Sequence, residues 1–348
     1  MQLMNGSSRR SLLWGLAISI SFLALLVNQV DVRKSWEVLA GTDFRLMLLP
    51  TLITFATLGL RPRRWQSIFP NGDRPTFWSS FSVFSIGTVA NNVFPARAGD
   101  ILRCFLISRE RTLSGASLAL ATVGLEKILD GMVALMVVLA AVFFVNSTEL
   151  LTGMSLVSSC LFGGAIVTFI FLHFRSMRLI ALIRSLFRKI HLPALGEKVA
   201  LLLACFSDGL DVVGSPFRLA SVAALTGLIW VGEGALVLTL GLSLNISLSF
   251  PAAMLVTAVI GLGLALPAAP GAFGTYEFFA VAGLSLVGVN SQAAFALALL
   301  MHAWIFLATS ILGVVSLGLV NPACSSKHSS FAALIRGRES TPGDTMPR

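Results

Sequence analysis

Long apolar runs separated by short polar segments dominate the sequence. Residues 11–30, 219–242 and 293–320 are each long enough to cross a bilayer, since a helix needs roughly 20 residues to do so. Hydrophobic residues make up 56% of the chain and charged residues only 12%, against about 25% charged residues in soluble domains. The sequence therefore predicts an all-α, polytopic integral membrane protein.

The distribution of basic residues predicts how the chain is oriented. The net charge is +9, from 25 Lys and Arg against 16 Asp and Glu, which favours membrane lipids as partners and gives no indication of nucleic-acid binding. Segments 61–74, 103–111 and 175–218 are basic, as are both ends of the chain, whereas residues 146–149 and 243–250 contain no Lys or Arg. The positive-inside rule then predicts a multi-pass protein of the cytoplasmic membrane with both termini in the cytoplasm.

This orientation has a consequence for two interrupted apolar regions. Residues 77–107 must enter and leave on the cytoplasmic side, and residues 251–289 must enter and leave on the opposite side. We therefore predict about six full spans and two re-entrant helical hairpins, arranged as an inverted repeat. The predicted halves are residues 11–145 and 150–320 of one domain covering residues 1–320, followed by a disordered cytoplasmic tail at 321–348. The alternative is about ten plain spans with some loops on the wrong side.

The first hairpin contains the most polar stretch within the apolar part of the chain. Pro95 breaks a helix there, and ionised groups at membrane depth usually mark a substrate or ion pathway. The predicted substrate-binding residues in this stretch are Asn92, Arg97, Asp100 and Arg103. The alternative interpretation is a cytoplasmic loop with ordinary charges.

Two carboxylates lie within the next apolar run. Glu126 and Asp130 are four residues apart, so they share one face of a helix. We predict that they line a headgroup cavity with Arg97 or Arg103 as partners, and that Lys127 pairs with Asp130. The alternative is a buried ion network that only fixes packing.

The second hairpin contains a break rich in Pro and Gly. Gly271 and Gly274 allow close approach of a ligand to the backbone, and a half-helix beginning near Thr275 would direct its N-terminus into the membrane. Glu277 is predicted to bind substrate with an Arg from the first hairpin, or else to cap its own helix. Glu233 and His302 are single polar residues in apolar spans, predicted to couple protons or ions, or else to be satisfied by a neighbouring helix.

The end of the second apolar run, 46–60, is also basic. Arg61, Arg63, Arg64 and Trp65 follow it directly, and we predict that they extend to the membrane interface and anchor the helix.

Motifs for enzyme chemistry are absent from the sequence. It contains no G-x-x-x-x-G-K-[ST], G-x-S-x-G or H-E-x-x-H motif. The four cysteines are widely scattered, without metal-ligand spacing. We therefore predict no catalytic residues, no metal site and no cofactor, which favours a transporter over an enzyme.

Four motifs together resemble a known family. They lie at residues 60–65, 92–103, 126–130 and 270–277, and in this order they resemble the membrane region of lysylphosphatidylglycerol synthases. This region is the flippase-like part of the multiple peptide resistance factor and of its stand-alone relatives. The resemblance covers about residues 10 to 320. Lys127 stands where the family commonly has Arg, Ala272 where it commonly has Gly, and the soluble aminoacyl-transfer domain is missing, so a stand-alone form is expected.

The resemblance implies movement of a lipid between membrane leaflets. The cargo would be a lipid or a lipid-linked headgroup, either anionic or attached to polyprenyl phosphate, and a separate enzyme of lipid or glycan synthesis is an expected partner. The alternative function is a membrane-embedded enzyme or accessory subunit for transfer of a lipid or glycan headgroup. A third is an ion-coupled solute transporter, in which Glu126, Glu233 or His302 would titrate.

Overall fold

The protein is helical throughout the part of the chain that the structure describes. The computed structural model describes residues 6–27, 30–94, 97–108, 115–142, 215–266 and 268–319, with short stretches between 152 and 200. The helices are α1 (Gly6–Val27), α2 (Val32–Ala40), α3 (Leu48–Ile68), α4 (Phe77–Val93), α5 (Ala98–Ser108), α6 (Gly115–Val142), α7 (Pro216–Ser243), α8 (Phe250–Gly263), α9 (Thr275–Leu286) and α10 (Ser291–Leu319). The all-α prediction is thus confirmed.

Within the described part of the chain, three helical segments are long and apolar enough to cross a membrane. They are Phe44–Ile68, Pro216–Ser243 and Ser291–Gly318, and their 25 to 28 residues exceed a bilayer core of about 30 Å at a rise of 1.5 Å per residue. A membrane location follows. The loop predicted at 146–149, most of the span predicted at 150–174 and the tail at 321–348 lie outside the described residues, so the predicted number of spans stays a prediction.

Helix α3 runs further than its apolar segment suggested. It continues to Ile68 with Pro62 inside it, and both Arg64 and Trp65 are fully buried. The prediction that these two side chains extend to the interface is wrong, because the helix carries Arg64 into contact with carboxylates of α6. The short helix α2 was not predicted either; Asp31 begins it by accepting hydrogen bonds from the backbone amides of Arg33 and Lys34.

Helix α5 folds back against α4. Helix α4 ends at Val93, and Arg97, with a φ of 54°, directly precedes α5. The amide of Gly99 donates to Asn91 Oδ1 at 2.8 Å, and a Cβ at Gly99 would lie 1.9 Å from the carbonyl oxygen of Gly87. The two helices therefore meet backbone to backbone.

Helix α9 folds back against α8 in the same way. Gly274, with a φ of 83°, directly precedes α9. A Cβ at Gly263 of α8 would lie 2.1 Å from the ring of Phe279 of α9, and one at Gly283 would lie 3.2 Å from the Cα of Val256. The predicted start of a half-helix near Thr275 is correct.

The apolar core consists of clusters that follow the order of the helices. One cluster joins α3, α4, α5 and α6 around Trp65, Phe84 and Ile107. The largest joins α7, α8, α9 and α10 with Leu26 of α1, and Leu240 and Leu284 are fully buried in it. A third, formed by α6, α7 and α8, connects the two. Each of the two packed groups of four helices therefore contains one helix break, before α5 in the first group and before α9 in the second.

Candidate functional site

A cavity of about 830 Å³ lies where the two helix breaks approach each other. Side chains of every helix from α3 to α10 line it. Nine residues predicted from the sequence are among them: Asn92, Arg97, Asp100, Arg103, Glu126, Asp130, Glu233, Gly271 and His302. Gly274 and Glu277 are not part of the lining, but Glu277 contacts His302 from behind it.

The centre of the polar wall is a buried network of arginines and carboxylates. Arg64 Nη2 donates to Glu126 Oε1 at 3.0 Å, and its two terminal nitrogens also contact Asp130 at 2.5 and 2.9 Å. Arg103 Nη2 donates to the second oxygen of Glu126 at 2.9 Å. Glu126 is only 2% exposed, so it joins α3 and α5 to α6. The predicted pairing of Glu126 with Arg103 is present, whereas the part played by Arg64 was missed.

Aromatic rings support the arginine network from its apolar side. The guanidinium carbon of Arg103 lies 5.1 Å from the ring centroids of both Trp65 and Phe84, a distance at which a cation is attracted to the ring face. Trp65 in turn donates to Thr122 at 3.0 Å. The Arg103 guanidinium is therefore held by two aromatic rings in addition to its carboxylate partners.

Lys127 turns away from its predicted partner. Its Nζ lies 3.6 Å from Asp100 Oδ2 of α5, so it pairs across helices, not with Asp130 on its own helix. That prediction is wrong because Asp130 already accepts both terminal nitrogens of Arg64 and the indole nitrogen of Trp230. Asp100 also lies 3.4 Å from Arg103 Nε.

Two further polar contacts connect helices across the cavity. Arg61 of α3 donates to Glu233 of α7 at 2.7 Å, so Glu233 is half of an ion pair. Asn92 of α4 donates to the hydroxyls of Thr309 and Ser310 of α10, both at 3.0 Å. The predicted site residues Glu233 and Asn92 therefore both lie at contacts between helices.

Arg97 connects the two helix breaks directly. Its Nη2 donates to the carbonyl oxygen of Leu264, which ends α8. Its positive φ of 54° is a conformation that costs energy for a residue with a side chain. Arg97 is exposed to the cavity, and its hydrogen-bond acceptor is a backbone carbonyl.

The second break is held by Glu277 and His302. Glu277 Oε2 accepts from the amide of Gly274 at 2.7 Å, which is the predicted capping alternative. Its other oxygen lies 2.6 Å from His302 Nδ1, while His302 Nε2 lies 2.8 Å from the carbonyl oxygen of Gly271. Glu277 thus pairs with a histidine of α10, not with an arginine of the first hairpin.

The charges around the cavity do not cancel. The network holds five cations (Arg61, Arg64, Arg97, Arg103 and Lys127) and four carboxylates (Asp100, Glu126, Asp130 and Glu233). Each cation except Arg97 has a carboxylate partner among the described residues. Across those same parts of the chain, no group of three or more His, Cys, Asp or Glu side chains is placed to hold a metal ion. Over the described residues, this network therefore carries one more positive than negative charge.

Comparison with known proteins places the chain in a family. It is 26% identical to the glycosyltransferase AglD of Haloferax volcanii over 370 aligned positions, which cover 95% of this chain and 58% of that relative. No solved structure matches the chain. Residues 12–313 match the family described as the lysylphosphatidylglycerol synthase TM region, as the four sequence motifs predicted. The chain therefore belongs to the family of lysylphosphatidylglycerol synthase transmembrane regions.

Proposed function

We propose that the protein moves an anionic lipid, or an anionic headgroup linked to a lipid or polyprenyl phosphate, between membrane leaflets. The observation that carries this proposal is Arg97, a cation that has no carboxylate partner among the described residues and lies at the point where the two helix breaks meet. A guanidinium binds a phosphate group with two parallel hydrogen bonds. A phosphodiester headgroup would take the place of the missing carboxylate.

The composition of the cavity wall supports a lipid more than a small solute. Apolar side chains line the cavity together with the charged network, among them Ile229, Leu236, Val237, Ile260 and Met301. A headgroup at Arg97 could therefore continue into an apolar chain without leaving the cavity. Pockets with mainly apolar walls and a few placed polar groups are typical of such ligands.

Helix lengths support the two re-entrant hairpins. Helix α5 has 11 residues, α8 has 14 and α9 has 12, which correspond to about 16, 21 and 18 Å. A bilayer core of about 30 Å is longer than any of these. Each helix is followed or preceded by a break and folds back on its neighbour, as in a hairpin that returns to the side from which it entered.

Packing between helices supports the inverted repeat. In the first group, each helix contacts the next one along the chain, from α3 to α6. The second group shows the same contacts between successive helices, from α7 to α10. The contact of α4 with α10 has its counterpart in that of α8 with α6, and α3 contacts α7. If α3–α6 are exchanged with α7–α10, the pattern of contacts is unchanged. A pseudo-two-fold axis that relates the two groups would produce this pattern. Rocking of two such halves around a central site is how many transporters alternate access.

The charge distribution assigns the orientation of this proposed arrangement. Both termini and the basic segment 175–218 would lie in the cytoplasm, and residues 243–250, which contain no Lys or Arg, would lie outside. The protein would then belong to the cytoplasmic membrane.

The test is leaflet exchange of a fluorescent, anionic phospholipid in proteoliposomes with matched amounts of protein. Arg97→Ala should abolish exchange, and Arg97→Lys should lose most of it, because an ammonium group cannot make the paired contacts of a guanidinium. Arg33→Ala is the matched control, since that side chain is 91% exposed on α2, and it should exchange lipid at the wild-type rate. Exchange by Arg97→Ala at the wild-type rate, or no exchange by the wild type above empty liposomes, would contradict the proposal.

A second candidate function is transfer of a lipid or glycan headgroup, either by this chain or by an enzyme that it assists. The observation that favours it is the relative named as a glycosyltransferase. Mass spectrometry of lipids incubated with the purified protein and sugar or aminoacyl donors distinguishes the two functions. A covalent change in the lipid would favour transfer, and unchanged lipid that has moved between leaflets would favour translocation.

A further inference from the structure

The contact between His302 and Glu277 must contain a proton. A carbonyl oxygen only accepts, so His302 Nε2 carries the hydrogen that it donates to Gly271 at 2.8 Å. The other ring nitrogen lies 2.6 Å from Glu277 Oε1. Without a proton between them, the lone pair of Nδ1 would face a carboxylate at that distance. The pair is therefore either imidazolium with carboxylate or neutral imidazole with carboxylic acid, and its net charge is zero in both forms.

We infer that His302 and Glu277 bind a proton that crosses the membrane together with the anionic cargo. This inference rests on the proposed translocation and assigns its energy source. His302 lines the cavity, so its ring connects the cavity with Glu277 behind it. Protonation adds a hydrogen to Nδ1 or to Oε1, and release returns it to water and leaves a carboxylate facing a neutral imidazole.

Charge balance explains why proton and anion would move together. The network around the cavity has five cations and four carboxylates, so its net charge is one positive charge. The protonated pair of His302 and Glu277 is neutral and does not change this sum. Bound anion and proton together give a neutral site. Loss of both also gives a neutral site, because the deprotonated pair then balances Arg97. Either one alone leaves a net charge at membrane depth, which is costly, so only the doubly loaded and the empty forms are suited to rearrangement.

The position of the pair connects proton binding to the second helix break. The amide of Gly274 donates to Glu277, and the carbonyl of Gly271 accepts from His302, so the pair attaches both ends of this turn to α10. Gly271 and Ala272 form part of the cavity wall. Loss of the proton removes the link between Glu277 and His302 and leaves the bond from His302 Nε2 to Gly271 as the remaining link of this pair to the turn. The attachment of the wall beside the cargo to α10 is thereby weakened.

The equivalent site in the first group of helices cannot respond in this way. Glu126 lies eleven residues after Gly115 at the start of α6, and His302 lies eleven residues after Ser291 at the start of α10. Glu126 is joined to the helix after the first break by Arg103, whose guanidinium stays protonated in proteins. The counterpart bond in the second group is the one that a change in proton concentration can break.

The ionisable groups near the pair come from few elements. Tyr276 of α9 stacks on the His302 ring with centroids 4.5 Å apart. Across the cavity lie Glu233, which is paired with Arg61, and Arg97 at the first break. The described side chains of α1, α4 and α8 include no ionisable group. Among the described residues, the pair has no cation bonded to it that would fix Glu277 as a carboxylate.

The transport test uses the full-length protein in phosphatidylcholine vesicles with a short-chain fluorescent phosphatidylglycerol as probe. If one proton crosses with each monoanionic lipid, a difference of one pH unit across the membrane should make the probe about tenfold more concentrated in the leaflet on the alkaline side. Because the loaded form is neutral, a membrane potential should not change this ratio. Protein-free vesicles give the background, and His328→Gln, a histidine in the sequence-predicted tail, is the matched control that should accumulate the probe like the wild type.

His302→Gln and Glu277→Gln should lose the accumulation. An equal distribution across the gradient, in wild-type vesicles that do exchange the probe at uniform pH, would overturn the inference and leave translocation standing. Absence of any exchange would instead contradict the translocation on which the inference rests.

A second measurement requires no transport. In ¹⁵N-histidine-labelled wild-type protein, the signals of His302, one of four histidines, should change between pH 5 and 9 and should shift in Glu277→Gln. Loss of a signal in His302→Gln identifies it. His302 signals that stay constant over this range and are unaffected by Glu277→Gln would refute the proton site even if a variant is too unstable for transport.

Discussion

Replacement of Glu126 by Leu tests the arginine network most directly. The carboxylate accepts from Arg64 at 3.0 Å and from Arg103 at 2.9 Å while only 2% exposed. In Glu126→Leu, Arg64 keeps both contacts to Asp130, but Arg103 keeps only Asp100, at 3.4 Å. Two buried guanidinium groups then lose an acceptor, and Arg103 becomes the less well-paired of the two.

The expected loss follows from the number of bonds removed. Removal of one partner from a buried ion pair costs about 3–5 kcal/mol, and Glu126→Leu should lower the free energy of unfolding by this amount. Glu126→Gln keeps an acceptor oxygen, so it should lose less, about 1–3 kcal/mol. The double variant Glu126→Leu/Arg103→Leu should be more stable than the sum of its single variants by at least about 1 kcal/mol, because residues in one network are coupled.

The assay is reversible unfolding in mixed micelles, followed while a denaturing detergent is added. Glu37→Leu is the matched control, since Glu37 is 65% exposed and its oxygen lies 3.6 Å from Arg33 Nε on α2, and surface changes usually stay within about 0.5 kcal/mol. A loss below about 1 kcal/mol in Glu126→Leu, or full additivity in the double variant, would refute the view that these charges act as one unit.

Two other predictions concern packing and orientation. Gly99→Ala should destabilise the protein by roughly 1–3 kcal/mol, because the added Cβ would lie 1.9 Å from a backbone carbonyl oxygen of α4. A Cβ added at Gly59 would meet no atom within 4 Å, so Gly59→Ala should raise the free energy of unfolding by about 0.5–1 kcal/mol in the same assay. An equal effect of both substitutions would contradict the close α4–α5 contact. A cysteine at Ser247 should react with a membrane-impermeant thiol reagent added outside intact cells that lack the native cysteines, and one at Ser185 should not; the reverse pattern would contradict the proposed orientation.

Local sequence rules predicted the helix breaks well. Helix α4 ends two residues before Pro95, and the segment 268–274, rich in Pro and Gly, lies between α8 and α9, as the loss of backbone donors and the freedom of glycine require. The spacing of Glu126 and Asp130 placed both carboxylates on one face, and Arg103 was named as a candidate partner. Each of these inferences depends on residues close together in sequence.

Longer-range partners were not predictable in the same way. Arg64 was interpreted as an interface anchor because the apolar run ends at Leu60 and Pro62 follows, but α3 continues through Pro62 and carries Arg64 inward. Its acceptors, Glu126 and Asp130, are more than 60 positions away. The contact of Glu277 with His302 depends on the packing of α9 against α10, which hydropathy and charge bias do not specify. The sequence signal for a buried partner was the free-energy cost of an arginine in a helix at membrane depth, which favours an acidic partner nearby.

The two groups of four helices are alike in packing and different in chemistry, and one position accounts for much of the difference. Arg103 lies five residues after the start of α5 at Ala98, and Ala280 lies five residues after the start of α9 at Thr275. Arg103 contacts Glu126, whereas Ala280 is fully buried in the apolar cluster. Glu126 has two arginines as partners, whereas Glu277 has His302 and the backbone amide of Gly274. The same backbone arrangement thus places an arginine–carboxylate bond in one group and a histidine–carboxylate contact in the other.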